Sequence, residues 1–488
     1  MDMRKGLTGV GEKRNAGLML LILGGGALLR FCALSAESFW FDEAYSVWAA
    51  EHSVGWHIAL STQRIFPPLY YLLLHFWLPL GRSEFIVRSL SVLIGLGSIG
   101  AIYALAKRLF GARVGVISAL LLAISPLHIW YSQEARMYIL LAALGLCSAY
   151  FMLLALEEGK LWHWLAYVLS TAMAMNAHYF AVFLVPFQNA YYLYLLLRRD
   201  ARPGLWKHWL LSQVAVGLLS VIGLAGIFSL ESTYWWGLLD TWHGAPTWRD
   251  LVALMFSFSL GTTAEGALFY WGGLVLFGLC VACSFIVWKR RRLTLSLDDG
   301  VVFSLLYLVV PLGSIFLVSQ VQSFWVLRYI FPFLPPYCII VALGITRVPG
   351  RILRTLLLGA VVLASAWPIA NMYRYEQKEN WRAAVQYISA EEQTDDVILL
   401  VDEDIWLPFE HYYEGSVRRV GVSRVVTDRD LLAARVGMLP HHTRIWLVLS
   451  HTDNLALKDC LTASRYTQVL SERHFTGIEV DLFAVRSD

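Results

Sequence analysis

Apolar runs recur from the N-terminus to about residue 370, most of them long enough to cross a lipid bilayer. A backbone inside hydrocarbon must satisfy its own hydrogen bonds, so such runs fold as helices. The 488-residue chain is 58% hydrophobic and only 15% charged, whereas soluble proteins carry about a quarter charged residues. That excludes an ordinary soluble globular protein. A net charge of +3 gives no case for nucleic-acid binding.

Eleven membrane spans are expected, at 16–34, 85–106, 114–131, 137–156, 162–178, 179–197, 208–230, 267–288, 300–319, 328–346 and 352–370. The first follows Arg4, Lys5, Lys13 and Arg14 and reads as an uncleaved anchor. Residues 69–80, opened by Pro67-Pro68, and residues 249–261 are too short to cross and read as interfacial helices. Lys and Arg mark the cytoplasmic side in short loops. They cluster at Lys107-Arg108, Arg198-Arg199, Lys289–Arg292 and Arg347–Arg354, on the side of the N-terminus. The N-terminus is therefore expected in the cytoplasm, and an odd number of crossings puts the C-terminal part outside. Before residue 370 the cations of the outer side are Arg30, Arg64, Arg82, Arg88, Arg136, Arg249 and Arg328, without a lysine. Guanidinium forks match phosphate oxygens as a point charge does not. Headgroup anchoring is the plainer account of such arginines.

After about residue 371 the pattern changes. Helices are expected at Asn380–Ala390, 404–413, 427–437 and 453–463, and strands at Val397–Val401, Arg444–Leu449 and Glu479–Val485. Strands alternating with helices predict a small α/β domain. The expectation is an all-α polytopic membrane domain over 1–370, including a first outer loop at 35–84, and an extracytoplasmic α/β domain over 371–488. The six cysteines imply no disulfide framework. Cys280 and Cys283 lie inside an apolar run and read as small hydrophobes.

The chemistry-bearing residues gather on the expected outer side. Asp42 and Glu43 lie in the aromatic segment Ser38–Ser46. A carboxylate at a bilayer edge needs a partner or a task. Ser132-Gln133-Glu134-Ala135-Arg136-Met137-Tyr138, His178-Tyr179 and Arg328-Tyr329 fall at further outer turns. Plainer roles exist for each. Asp42 suits an N-cap, and Glu134 with Arg136 suits a structural ion pair. His178 suits a satisfied polar group, and the tyrosines suit an aromatic belt.

Trp40-Phe41-Asp42-Glu43-Ala44, Pro67-Pro68-Leu69-Tyr70-Tyr71, Ser132–Tyr138 and Arg328-Tyr329 before Pro332 together resemble the GT-C glycosyltransferases. Within that class they are similar to bacterial members of the branch of protein O-mannosyltransferases and lipid A aminoarabinose transferases. The resemblance covers most of residues 16–370. It implies a polyprenyl-phosphate sugar donor, inversion at the anomeric carbon, and Asp42 as the catalytic carboxylate. A lysine usually precedes the Pro-Pro pair in the aminoarabinose branch. Here Phe66 does, with Arg64 upstream, which weakens an aminoarabinose and lipid A assignment.

The reaction so implied needs a base for the acceptor hydroxyl and cations for the leaving phosphate. The catalytic candidates are Asp42 and Glu43. Arg136, Arg328 and Arg64 are candidates for the donor phosphate, and Glu134, Tyr138, His178 and Tyr329 for substrate contact. No cofactor is required; a divalent ion at Asp42, Glu43 and Glu134 is the alternative. The expected partners are the lipid-linked donor, the bilayer and an acceptor protein, lipid or glycan, at the outer face of the cytoplasmic membrane. Rival functions are a transporter or flippase, an O-antigen ligase or polymerase using a pyrophosphate-linked donor, and a non-catalytic scaffold. Transporters place ionisable groups at mid-membrane and carry internal repeats. The ionisable groups here lie at one face.

Overall fold

The computed structural model describes residues 2–63, 67–198, 204–226, 244–264, 266–289, 292–295, 297–401, 405–422, 444–450, 456–463 and 467–485. The chain forms two compact units: Met1–Cys32, His52–Gly81 and Ile86–Arg374 in the first, and Ala33–Glu51, Arg82–Phe85 and Tyr375–Asp488 in the second. The first outer loop is thus divided. Its acidic segment groups with the C-terminal residues.

The first unit is helical. Six helices are long and apolar enough to cross a membrane: Glu84–Phe110, Tyr138–Glu158, Tyr179–Leu197, Asp299–Val318, Leu327–Arg347 and Arg351–Arg374. A seventh span arises if Ala112–Ala123 and Pro126–Ser132, bent by 62°, count together. The expected eleven are not reached among the described residues, for local reasons. Ser125 caps the second half of the bent pair by accepting from the His128 amide, and Pro126 at its first position has no N–H to continue the ladder. The helix Leu161–Ala177 has 17 residues and stops at His178. Helix Leu205–Leu219 ends at Ser220, and helix Ala267–Cys283 gives way to a strand at Ile286–Lys289. Helix Asp2–Phe31 contains the expected first span, diluted by Gly24, Gly25 and Gly26. Short apolar helices lie at Leu69–Leu80 and Trp248–Leu260, where interfacial helices are expected.

Helix ends follow their caps. Asp298 accepts from the Val301 amide at 3.0 Å at the start of Asp299–Val318. Gly159, at φ 69°, closes Tyr138–Glu158 in a left-handed conformation that favours glycine. Helices pack through small residues: a Cβ on Gly344 would collide with the Cys280 carbonyl. A buried polar chain ties four helices together. The Tyr167 hydroxyl donates to Gln188 at 2.8 Å, Gln188 to Ser148 at 2.9 Å, and Gln213 to Tyr167 at 2.9 Å.

Strands β1 (Ile286–Lys289) and β2 (Arg292–Leu295) form an antiparallel hairpin in the first unit. The second unit contains a five-stranded sheet of order β4-β3-β5-β7-β6, with β3 (Val397–Val401), β4 (Arg418–Val422), β5 (Arg444–Ser450), β6 (Thr467–Phe475) and β7 (Ile478–Val485). β3 pairs in parallel with β4 and β5, and β7 pairs antiparallel with β5 and β6. Alternate side chains of a strand face opposite ways. Ile398, Leu400, Trp446 and Val448 pack with Trp381, Ile388 and Phe409 on one side. Val397, Leu399, Ile445 and Leu447 pack with Leu457 and Leu461 on the other. Helices expected near Asn380–Ala390, 404–413 and 453–463 are present as Trp381–Glu391, Trp406–Tyr412 and Ala456–Ala463. The helix expected at 427–437 lies outside the described residues.

Trp446 is fully buried, and its Nε1 donates to Asp396 at 2.8 Å, alongside two hydrogen bonds from Arg444. Trp446→Ala leaves a large cavity and takes a donor from Asp396. We expect a loss of about 3–5 kcal/mol, read as protease sensitivity of residues beyond 375 in the full-length protein.

Candidate functional site

The predicted residues fall into two groups, one in each unit. In the first unit, the tight turn after Pro126–Ser132 carries Glu134 and Arg136. A fully buried arginine anchors that turn. The Arg30 guanidinium donates to the carbonyls of Gly26 at 3.0 Å, Ala123 at 2.9 Å and Leu122 at 3.2 Å, and to the Ser132 hydroxyl at 3.1 Å. It also lies 2.6 Å from His128 Nδ1, whose Nε2 is 2.8 Å from Ser98. A cation over the carbonyl end of Ala112–Ala123 suits the helix dipole. Arg30 is thus a staple between segments and does not snorkel. Gln133 donates to the Arg30 and Cys32 carbonyls at 3.0 and 2.9 Å, holding the other side of the turn.

Around this turn the aromatic and cationic candidates come together. The Arg136 guanidinium lies 5.8 Å from the Tyr138 ring centre and donates to the Tyr71 hydroxyl at 3.4 Å. Arg328 lies 5.4 Å from the Tyr329 ring. The His178 ring is 5.7 Å from Tyr138 and 5.4 Å from Tyr329, and Tyr138 is 6.1 Å from Tyr329. The positive charges of Arg136 and Arg328 are both felt at His178, and the negative charge of Glu134 and the positive charge of Arg328 at Tyr131. Glu134, Arg136, Tyr138 and His178 are buried, while Arg328 and Tyr329 are half-buried. His178 Nδ1 accepts from the Phe180 amide at 3.1 Å and so caps the short helix Tyr179–Phe183. Both guanidiniums lie against aromatic rings, and a guanidinium fork matches phosphate oxygens in geometry.

Beside it, helix Val54–Gln63 sets the His57 ring parallel to Tyr71, with centres 6.2 Å apart. Burial, reinforced by His75 and His52, pushes His57 down to about 4. The imidazole is therefore neutral at physiological pH. Arg64 lies outside the described residues.

In the second unit, helix Phe41–Ala50 presents the acidic pair. Trp40 is its N-cap, so Asp42 and Glu43 are first-turn residues and Asp42 is not the cap. Acids in a first turn complement the helix dipole. The Ser46 hydroxyl donates to the Asp42 carbonyl at 3.0 Å. Glu43 is fully buried, with Lys378 Nζ 3.1 Å from its Oε2. Asp42 is half-buried. Preceding residues are tied down as well: Ser38 donates to the Glu379 carbonyl at 2.6 Å, and the Phe39 amide to the Tyr412 hydroxyl at 2.7 Å. The Tyr412 hydroxyl donates to Glu84 at 2.7 Å, and Arg382 pairs with Glu84 at 2.5 Å. Burial raises Tyr412 far above the usual phenol range, so it remains a donor. Among the described residues, no group of three or more His, Cys, Asp or Glu is arranged to hold a metal ion.

Residues 66–227 match the family described as dolichyl-phosphate-mannose-protein mannosyltransferase. ArnT from Cupriavidus metallidurans in the apo state is similar over 96% of this chain and 98% of that one, with a TM-score of 0.57 and 16% identity. The chain has the GT-C glycosyltransferase fold. ArnT from the same organism bound to undecaprenyl phosphate gives a TM-score of 0.58 at 15% identity, with 96% and 98% of the two chains covered. Archaeal oligosaccharyltransferase AglB from Archaeoglobus fulgidus, in complex with an inhibitory peptide and a dolichol-phosphate, gives 0.56 at 11% identity, covering 89% of this chain and 69% of that one. No curated protein matches the chain in sequence.

Within the GT-C fold, the residues beyond sequence reasoning are Lys378, Arg382, Tyr412 and Glu84, which hold the acidic segment, and Tyr71, which meets Arg136. Tyr71 stands in the Pro-Pro-Leu-Tyr-Tyr motif and carried a signal. Lys378 stands in a polar stretch of no recognisable pattern and carried none.

Proposed function

We propose that this GT-C protein is an integral-membrane, inverting glycosyltransferase. It moves a sugar from a polyprenyl-phosphate carrier to an acceptor hydroxyl at the outer face of the cytoplasmic membrane. The observation that carries the reading is the cluster of Arg136 and Arg328 with Tyr71, Tyr138, His178 and Tyr329. Such a cluster suits a phosphate bearing a sugar on one side and an apolar chain on the other. Support also comes from solved proteins of similar fold: ArnT bound to undecaprenyl phosphate and AglB in complex with a dolichol-phosphate.

In this mechanism Asp42 takes the proton of the acceptor hydroxyl as its oxygen attacks the anomeric carbon from the face opposite the phosphate. The bond to the phosphate oxygen breaks, and the charge left on the lipid phosphate is stabilised by Arg136 and Arg328, with Arg64 a third candidate. A phosphate monoester leaves as an anion, so a strong general acid is not needed. Glu134, Tyr138, His178 and Tyr329 contact the sugar or acceptor. Eleven crossings, with the N-terminus in the cytoplasm and the C-terminal unit outside, fit the distribution of Lys and Arg.

The test is a donor panel. Purified full-length protein is incubated with labelled polyprenyl-phosphate and polyprenyl-pyrophosphate sugars. We expect transfer, or slow release of sugar to water, from the monophosphate donors alone. Turnover confined to pyrophosphate donors would favour the ligase or polymerase class.

A further inference from the structure

We infer that Lys378 is a positioning residue that divides the acidic pair between two tasks. Through its ion pair, Glu43 locks helix Phe41–Ala50 against the chain following residue 375, and Asp42 is presented to the reaction. The inference rests on the proposed function for the role of Asp42. The division itself rests on geometry.

Consecutive residues of a helix point about 100° apart. With Glu43 turned inward to Lys378, Asp42 leaves the helix about 100° around its axis from Glu43. Their burial differs accordingly. The Glu43 side chain is 0% exposed and that of Lys378 is 8% exposed, at an Nζ–Oε2 distance of 3.1 Å, while Asp42 is half-buried. A carboxylate buried this completely needs a counter-charge, and removing one partner of such a pair is far more disruptive than removing both.

The pair does not act alone. Glu37 accepts from the Gln377 amide at 2.6 Å, Ser38 donates to the Glu379 carbonyl, and Phe39 packs edge-on against His411 with ring centres 4.9 Å apart. At the far end of the outer loop, Glu84 is gripped by Arg382 and Tyr412. Residues 377–379 and 411–412 thus hold the segment just before Asp42, and Lys378 reaches into the helix itself through Glu43. The C-terminal sheet unit, on this account, sets the register of the reactive carboxylate.

The test uses full-length protein in lipid nanodiscs with a labelled polyprenyl-phosphate sugar. Lys378→Met strands the buried Glu43 charge. We expect kcat to fall by about tenfold or more, with donor KM changed by less than about threefold, and amide exchange in Phe41–Ala50 to accelerate. Lys378→Arg is expected to retain most of the activity. The double variant Glu43→Gln with Lys378→Met removes both charges and is expected to recover much of the lost kcat and the slow exchange. A double variant with restored exchange protection but no activity would overturn the division, because Glu43 would then act in the reaction. Near-normal kcat for Lys378→Met would overturn it as well. Should Lys378→Met fail to fold, Lys378→Arg and the double variant decide the matter by the same two readouts. If the wild type transfers sugar from no donor, the functional proposal falls. Exchange in Phe41–Ala50 then judges the clamp alone, and unchanged exchange in Lys378→Met rejects it.

Discussion

Asp42→Asn is expected to lower sugar transfer by about 10²–10⁴-fold, the usual weight of a positioned general base. Asparagine keeps the size and shape of the side chain but cannot take a proton from an acceptor hydroxyl. Asp42 lies in the first turn of Phe41–Ala50, where Trp40 is the cap, and the side chain is half-buried. The hydrogen bond it shares with Ser46 uses its backbone carbonyl and survives the change. Donor binding should therefore persist while turnover is lost. Initial rates and binding of polyprenyl phosphate, measured on the same preparation, separate the two. Near-normal turnover would remove Asp42 from the reaction.

The second large effect concerns the leaving group. Arg328→Ala and Arg136→Ala are each expected to reduce kcat/KM for the donor by about 10²–10³-fold, as for other groups that stabilise developing negative charge. Acceptor KM should change little. Each side chain also packs on an aromatic ring, Tyr329 for Arg328 and Tyr138 for Arg136. Lysine variants keep the charge and lose the planar fork, so partial recovery is expected. Equal damage to donor and acceptor kinetics would point to a collapsed site. Unchanged donor kinetics would remove the residue from the phosphate cradle.

The membrane character and the α/β nature of the C-terminal unit were legible because both rest on hydrophobic pattern. Val397–Val401 and Arg444–Ser450 are central strands buried on both faces, and their apolar runs stand out. Strands Arg418–Val422 and Thr467–Phe475 lie at the sheet edges with mostly exposed side chains, so no alternation marks them. Span boundaries are harder to read from sequence where helices break. Pro126 bends one, and His178 separates two others too closely for a loop to appear in sequence.

The nearness of Arg136, His178 and Arg328 could be expected from sequence, because the topology read from Lys and Arg would bring those turns to one side. The partner of Glu43 could not. Lys378 follows the acidic pair by 335 residues, and only the folded chain joins them. Arg30 shows the converse. Its sequence position suggests an interfacial arginine, yet carbonyls at the end of Ala112–Ala123 and the His128 ring enclose it completely.

The most direct measurement is the anomeric configuration of the product. A polyprenyl-phosphate sugar of defined anomer is supplied with an accepted alcohol, and the configuration of the glycoside is read by NMR. Single displacement, with Asp42 as base and the lipid phosphate as leaving group, predicts complete inversion. A product of retained configuration would contradict it, because a single displacement at the anomeric carbon cannot give retention.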